Sequence, residues 1–417
     1  MSAILLLVLG LGGMAAGYFV YSRFIAEKIY KLDPGFRTPA HEFEDGVDFV
    51  PTNRFVLWGH HFTSVAGAAP IVGPAIAVIW GWLPAFLWVV LGTIFFAGVH
   101  DSGAIWASVR NRAKSVGSLT GEVVGGRARS VFMIVIFLVL LMVNAVFGVV
   151  IAKLLINNPG AVVPVWGAIA VALVIGQLIY RRKIGLGLVS VVGVAALYAL
   201  IYIGPSVPVT LPESTAGLSP NALWILILFG YAAIASLLPV WVLLQPRDYI
   251  NGLQLFVGLI LLYGAVIIAS PTVVAPMINF GVPEGTPSML PLLFVTIACG
   301  AISGFHGLVA SGTTSKQLDK ETDARFVGYF GAVGEGALAL AAIIAATAGF
   351  ASLADWQAVY TSFGQGSLTA FVDGGAFILA AGTGMEVTVA ATLLTVMAAR
   401  FAGTTMAPGP RVQPAPF

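Results

Sequence analysis

The sequence predicts an all-α, polytopic membrane protein of about eleven transmembrane helices. Three observations predict it. Only 9% of the 417 residues are Lys, Arg, Asp or Glu, while 59% are hydrophobic; soluble domains carry roughly 25% charge. The apolar residues come in runs of about twenty, the length a helix needs to cross a hydrocarbon layer of roughly 30 Å. The Lys and Arg residues collect in alternate connecting segments. A surface so poor in charge cannot face water, which excludes a soluble enzyme, a secreted domain and a disordered chain. One cysteine, Cys299, excludes an internal disulfide framework and any Cys-based metal cluster. The net charge of +2 gives no reason to expect a nucleic-acid partner.

The spans run as follows. Residues 3–21 open the chain without a basic segment before them and continue directly into Tyr21-Ser22-Arg23, so they read as a retained helix rather than a cleaved signal. Residues 62–80 are uncharged but interrupted by Gly67, Pro70, Gly73 and Pro74, and 83–99 follow after a tight Gly81-Trp82 turn. The remaining spans are 131–152, 161–180, 184–203, 222–244, 253–275, 290–311, 326–350 and 374–399. With the N-terminus outside, the inside segments 23–54, 101–130, 181–183, 245–252, 312–325 and the tail hold 19 of the 20 Lys and Arg residues, and only Lys153 falls outside. The C-terminus is then cytoplasmic. The outside loops are short, and residues 1–406 form one membrane domain followed by a Pro-rich tail, 407–417.

In lipid, irregular backbone is tolerated only where protein or a water-filled cavity satisfies its polar groups. Two segments break good helix chemistry. The first runs from Gly59-His60-His61 through Ser64, Gly67 and Pro70 to Gly73-Pro74. Its prolines and glycines predict an unwound stretch near mid-membrane, whose half-helix N–H groups suit a substrate carboxylate. A Pro-kinked helix packed through small residues is the alternative. The second runs from Cys299-Gly300 through Ser303, Gly304 and His306 to Ser311-Gly312. His61 precedes Gly67 by six residues and His306 precedes Gly312 by six, on spans that run antiparallel, as an inverted repeat would place them. Small-residue helix interfaces produce similar patterns.

Ionisable groups inside spans are costly and usually functional. Glu335 lies ten residues past Arg325, about 15 Å deep at 1.5 Å per residue, where it serves as a proton carrier or as a structural carboxyl. Glu386 is the same case, next to a Gly374–Gly384 stretch that reads as a re-entrant loop. His60 and His61 point in different directions on a helix, so no metal site is expected. Arg247 and Asp248, in a loop joining two spans, read as an interhelical clamp or gate. Residues 316–325, with Asp323 and Arg325, read first as a solvated face with internal ion pairs and second as a gate. His100-Asp101 ends a span and joins this inner network. No nucleophile, phosphate-loop or haem motif is present, so an enzyme is not expected.

At these residues the chain resembles the carbon starvation protein A (CstA) family. The resemblance rests on Val50-Pro51-Thr52-Asn53-Arg54, Gly59-His60-His61-Phe62, Ala66-Gly67-Ala68-Ala69-Pro70 and Gly73-Pro74. It continues through Gln245-Pro246-Arg247-Asp248-Tyr249, Ile297 to His306, Ser311-Gly312-Thr313-Thr314 and Glu321-Thr322-Asp323-Ala324-Arg325, covering about 45–335. It implies a bacterial inner-membrane transporter linked to peptide uptake in carbon starvation, with some members linked to pyruvate. It also implies a fold of two inverted repeats with broken helices. Members usually continue with further helices where this chain ends in its Pro-rich tail, which implies a short variant or a truncated product.

The function expected is secondary active import of a small carboxylate nutrient, a short peptide or pyruvate, with H⁺ or Na⁺ as coupling ion and no organic cofactor. Membrane lipid is the expected surrounding. The substrate-binding residues expected are His61, Ser64, Gly67, Pro70, Gly73, Ser303, Gly304, His306 and Ser311. Glu335 and Glu386 are expected to couple the ion, and Arg247, Asp248, Asp323 and Arg325 to gate. A membrane sensor, a channel and a non-transporting truncation are the alternatives.

Overall fold

A computed structural model of the chain describes residues 1–215, 217–238, 242–298, 301–302 and 304–406. The tail at 407–417, Cys299, Gly300 and Ser303 lie outside the described residues. The apolar runs become helices because a backbone removed from water must satisfy its N–H and C=O groups within the segment. In chain order these are α1 (Ala3–Ile29), α2 (Arg54–Ala66), α3 (Ala69–Trp80), α4 (Trp82–Arg110) and the short α5 (Val116–Val123). They continue with α6 (Gly126–Asn157), α7 (Pro159–Ile179), α8 (Leu186–Ser206), α9 (Pro220–Leu237) and α10 (Leu244–Ala269). Then come α11 (Met289–Thr296), α12 (Gly304–Gly312), α13 (Arg325–Ala348), α14 (Leu353–Val359), α15 (Ser367–Thr383) and α16 (Val387–Met406).

Among the described residues, nine helices are long and apolar enough to cross a membrane, and α2 with α3 make a tenth crossing bent by 45°. Where one span was expected over 290–311, α11 and α12 stand on either side of residues 297–303. Counted as one interrupted crossing, they bring the number to the expected eleven. The apolar window of α13 is 83% buried and that of α16 is 72% buried, against 22% for α8 and α9. The centre of the molecule is therefore α13 and α16, and α8 and α9 lie at its rim. Ala and Gly dominate α13, which lets neighbouring backbones approach where lipid offers no hydrophobic driving force.

Three expectations are corrected. The last span is not 374–399 but α16, and the preceding stretch is α15, not a re-entrant loop. Gly384, at φ 72°, makes the turn between them. Gly374 of α15 lies against Ala345 and Gly349 at the end of α13, and Gly382 lies against Ala265 near the end of α10. So α15 is a cross-piece over the C-terminal ends of two helices, apolar because protein covers it. Second, residues 245–252 are not a loop: α10 starts at Leu244, and Gln245, Arg247 and Asp248 are buried. Third, Arg400, counted above with the tail, lies inside α16 and is buried.

The two interrupted crossings meet. In each half of the pairing, α2 packs on α12 and α3 on α11. Gly73 of α3 faces the main chain at the end of α11, where an added Cβ would stand 2.2 Å from the Thr296 carbonyl oxygen. A main-chain atom cannot swing aside as a side chain can. Gly73→Val is therefore expected to lower the unfolding midpoint of the detergent-solubilised protein, at an overpacking cost of about 1–3 kcal/mol. Gly148→Ala, whose Cβ would meet the Phe229 ring at an ordinary 3.5 Å, should leave the midpoint unchanged. Equal midpoints in the two variants would refute the close approach.

Candidate ion-coupling and substrate site

The first interruption is built by Gly67, which ends α2 at φ 55° and ψ −155°, a conformation that L side chains rarely adopt. The break is buried in protein and does not face lipid: Val65, Ala66 and Ala68 are at most 1% exposed. The Phe147 ring fills it, and a Cβ on Gly67 would stand 2.8 Å from that ring. The carbonyls at the end of α2 lack intrahelical donors, and α16 supplies them. Thr404 Oγ1 donates to Thr63 O at 2.7 Å, and Thr405 Oγ1 donates to Ser64 O at 3.1 Å. On the far side of the break, Pro70 has no N–H, and Ile71 and Val72 donate to Ala68 O at 3.1 and 3.0 Å. Any cradle for an anion is thus confined to the amides of Gly67, Ala68 and Ala69, smaller than the one expected from the motif.

On the half of α2 before the break, His60 and His61 face different neighbours. His61 Nδ1 is 2.9 Å from Thr314 Oγ1, and its Nε2 is 3.8 Å from Asp101 Oδ2. Gly331 of α13 gives the ring room, since a Cβ there would approach His61 Cδ2 to 3.0 Å. Asp101, on α4, is the hub. His306 Nδ1 lies 2.9 Å from its Oδ2, and His100 Nδ1 lies 3.0 Å from its Oδ1. The other nitrogen of His306, Nε2, lies 2.9 Å from Glu335 Oε2. Asp101, His306 and Glu335 are fully buried, whereas the His100 side chain is 38% exposed. A chain His100–Asp101–His306–Glu335 therefore leads from a half-open position into the core of α13.

The geometry counts a proton. A neutral imidazole has one N–H donor and one lone pair. With a carboxylate oxygen 2.9 Å from each nitrogen, a lone pair would face a carboxylate unless an extra proton sits on the ring or on one carboxyl. Either way the group holds one proton more than two carboxylates and a neutral imidazole. Withdrawing that proton leaves a repulsive contact in low dielectric, so one of the two bonds must open.

A second buried set lies on the other face of α2. Asp248 Oδ2 is 2.9 Å from His60 Nδ1 and accepts from Ser64 Oγ at 3.3 Å. Its Oδ1 accepts from Arg247 Nε at 2.7 Å. Arg247 also donates to the Tyr231 hydroxyl at 2.7 Å and to Thr404 O at 3.3 Å. This pair was expected to clamp a loop; it holds three membrane helices together instead.

The remaining expected site residues are dispersed. Ser303 lies outside the described residues, and Gly304 is the first residue of α12. Ser311 donates to Gly307 O and accepts from Val116 N, so it anchors the α5 segment. Glu386 is exposed in the turn before α16 and accepts from Thr388; it does not join the buried group. Arg325 donates to Ser22 Oγ and Tyr18 O of α1. Asp323 is half-buried in the loop before α13, where burial first, and Asp319 beside it, push its carboxyl above the ordinary value against Arg54 and Lys320. The loop expected to be a solvated face reaches outward for its partners. Glu321, fully buried, pairs with Arg110 and accepts from Asp33 N at 2.6 Å, and Asp319 meets His41 Nε2 at 2.8 Å. Three contributors went unread in the sequence: Thr314 as partner to His61, the Thr404-Thr405 pair, and Asp101 as hub rather than network member. For Asp101 the signal was present, an acid nine residues before the end of an apolar run.

Removing one partner of a buried ion pair leaves the other charge uncompensated, at about 3–5 kcal/mol. Asp248→Asn is therefore expected to lower the unfolding midpoint of the detergent-solubilised protein sharply, whereas Asp323→Asn should barely move it. An Asp248→Asn protein as stable as the parent would return the Arg247–Asp248 pair to a purely gating role.

Known proteins share this arrangement of sequence. The carbon starvation protein CstA family matches over residues 2–409. The chain is 37% identical over 356 residues to the pyruvate/proton symporter BtsT of Escherichia coli (strain K12), covering 83% of this chain and 49% of that protein. It is 36% identical over 353 residues to the peptide transporter CstA of Campylobacter jejuni subsp. jejuni serotype O:2, with 83% and 50% covered. It is also 36% identical over 352 residues to the peptide transporter CstA of Bacillus subtilis (strain 168), with 84% and 58% covered. The chain spans about half the length of the curated relatives it matches. No solved structure matches it. A family match over nearly the whole chain, carried by eleven crossings of which two are interrupted, makes this multi-pass membrane protein a member of the carbon starvation protein CstA family.

Proposed function

We propose that this chain forms the proton-coupling core of a secondary transporter that imports a small carboxylate nutrient, pyruvate or a short peptide, across the bacterial inner membrane. The observation that carries this reading is His306 held between Asp101 and Glu335 at 2.9 Å on each side. The bridge holds one titratable proton, and losing it forces a bond between α12 and either α4 or α13 to open. Proton release is thereby tied to movement of an interrupted helix, the requirement for coupling. His100, half-exposed at the other end of the chain, is the entry for the proton, and His61, 3.8 Å from Asp101, joins by a small displacement. The relatives named as a pyruvate/proton symporter and as peptide transporters support a proton as the ion and a carboxylate-bearing cargo.

The cargo carboxylate is placed at the break between α2 and α3, with the amides of Gly67 to Ala69 as donors and α12 as the facing wall. Displacement of Phe147 from the break would admit it. The loops rich in Lys and Arg face the cytoplasm by the positive-inside tendency, which puts the N-terminus outside and the α15 cross-piece on the outer face. On that side α15 covers the ends of α10 and α13. On the inner side the Arg110–Glu321 pair and the 30–52 segment close the chain over α12.

Glu335→Gln keeps a hydrogen-bonding side chain but removes the titratable proton. In proteoliposomes with an inward proton gradient it is expected to lose at least tenfold in accumulation of labelled pyruvate or dipeptide while keeping exchange of cargo across the membrane. His306→Gln should behave alike, and cargo-induced proton uptake read by a pH-sensitive dye should vanish in both. Undiminished accumulation in Glu335→Gln would remove that residue from coupling.

A further inference from the structure

Apart from the proton chain, one buried charge is left without a counter-charge. Arg400 is 6% exposed in the middle of α16. Its guanidinium donates to the side-chain oxygens of Asn251 and Gln254 on α10, both neutral. Every Asp and Glu of the chain is among the described residues, and none forms an ion pair with it. The charged group that Arg400 does feel is Arg247, a second cation, whose charge is matched by Asp248. An isolated charge inside a membrane protein is costly, and such groups pair or mark a ligand's path.

The surroundings offer room and donors. Arg400, Arg247, Asn251, Tyr231, Trp166 and Leu228 line a cavity of about 40 Å³ between α7, α9, α10 and α16. A water-sized probe needs roughly 10–15 Å³, so the space takes a small ion or the head of a carboxylate but not a peptide. Tyr231 accepts from Arg247 with its oxygen, which leaves its O–H to donate into the cavity. Gln254 Nε2 is buried with no acceptor. The cavity therefore collects positive charge and hydrogen-bond donors with no anion of the chain's own.

We infer that the Arg400 cavity binds one small monovalent anion, a chloride ion or a carboxylate, held by the guanidinium with the Tyr231 hydroxyl as a second donor. The inference does not rest on the proton-coupling reading. Arg400 shares α16 with Thr404 and Thr405, which cap the broken end of α2. Occupancy is thereby linked by one helix to the interruption. If the anion is a carboxylate, this is where the cargo's acid group is recognised; if it is chloride, the ion is a fixed counter-charge that stiffens the same helix.

Thermal unfolding of the purified full chain in detergent reads binding without transport. In a chloride-free buffer of constant ionic strength set with sodium methanesulfonate, added sodium chloride or sodium pyruvate is expected to raise the midpoint along a saturating curve. Response to pyruvate alone identifies a carboxylate site, and response to chloride a halide site; both support the inference. Arg400→Gln should flatten the curve. Asn251→Asp, which supplies a carboxylate from within, should begin at a raised midpoint and respond no further. A parent protein that responds to neither anion, or equally to methanesulfonate, overturns the inference, as does an Arg400→Gln curve identical to the parent's. Failure here leaves the Glu335→Gln outcome untouched, since that assay reads proton movement.

Discussion

An imidazole with a carboxylate at each nitrogen is the contact on which the rest of this structure turns. Asp101, His306 and Glu335 sit on three different helices, and their two 2.9 Å contacts hold only while a shared proton is present. In water such a group would be indifferent to that proton because solvent would replace any lost bond. In a buried site no replacement exists, so protonation and helix position become one variable. The long helices supply the frame; this contact decides which arrangement of the frame is stable.

The interruptions follow from the same scarcity of solvent. A helix that stops inside a membrane protein leaves carbonyls and amides that must be met by something. At the end of α2 they are met by Thr404 and Thr405 across the packing face of α16. Gly67 permits the turn, Phe147 fills the space it leaves, and Gly73 lets α3 touch the backbone of α11. The break is thus satisfied wholly by protein. It is positioned by one helix that also carries Arg400, so the state of the break and the state of the Arg400 cavity are mechanically joined.

Much of this was legible. Glu335 was placed at mid-membrane from its distance to Arg325, and His61, His306 and Gly67 were singled out because such residues disturb a span. The reading failed where helix ends are ambiguous. An apolar stretch looks alike whether lipid or protein covers it, so α15 was merged into the last span. That shift carried Arg400 from the core into the tail and left Glu386 in the membrane rather than in its exposed turn. Arg247 and Asp248 were assigned to a loop because charge is the usual mark of one. Buried pairing on α10 neutralises that mark, and no local pattern announces it.

Composition, the length of the apolar runs and the distribution of Lys and Arg determined by themselves that the chain is a bundle of membrane helices with two weak points. These are properties of single segments measured against the thickness and dielectric of a bilayer. Which buried groups meet was decided only by the tertiary structure. A histidine's partner is set by the rotation and register of helices far apart in the chain. Asp101 and His306 are separated by 205 residues and Thr404 and Thr63 by 341, a relation no segment carries alone.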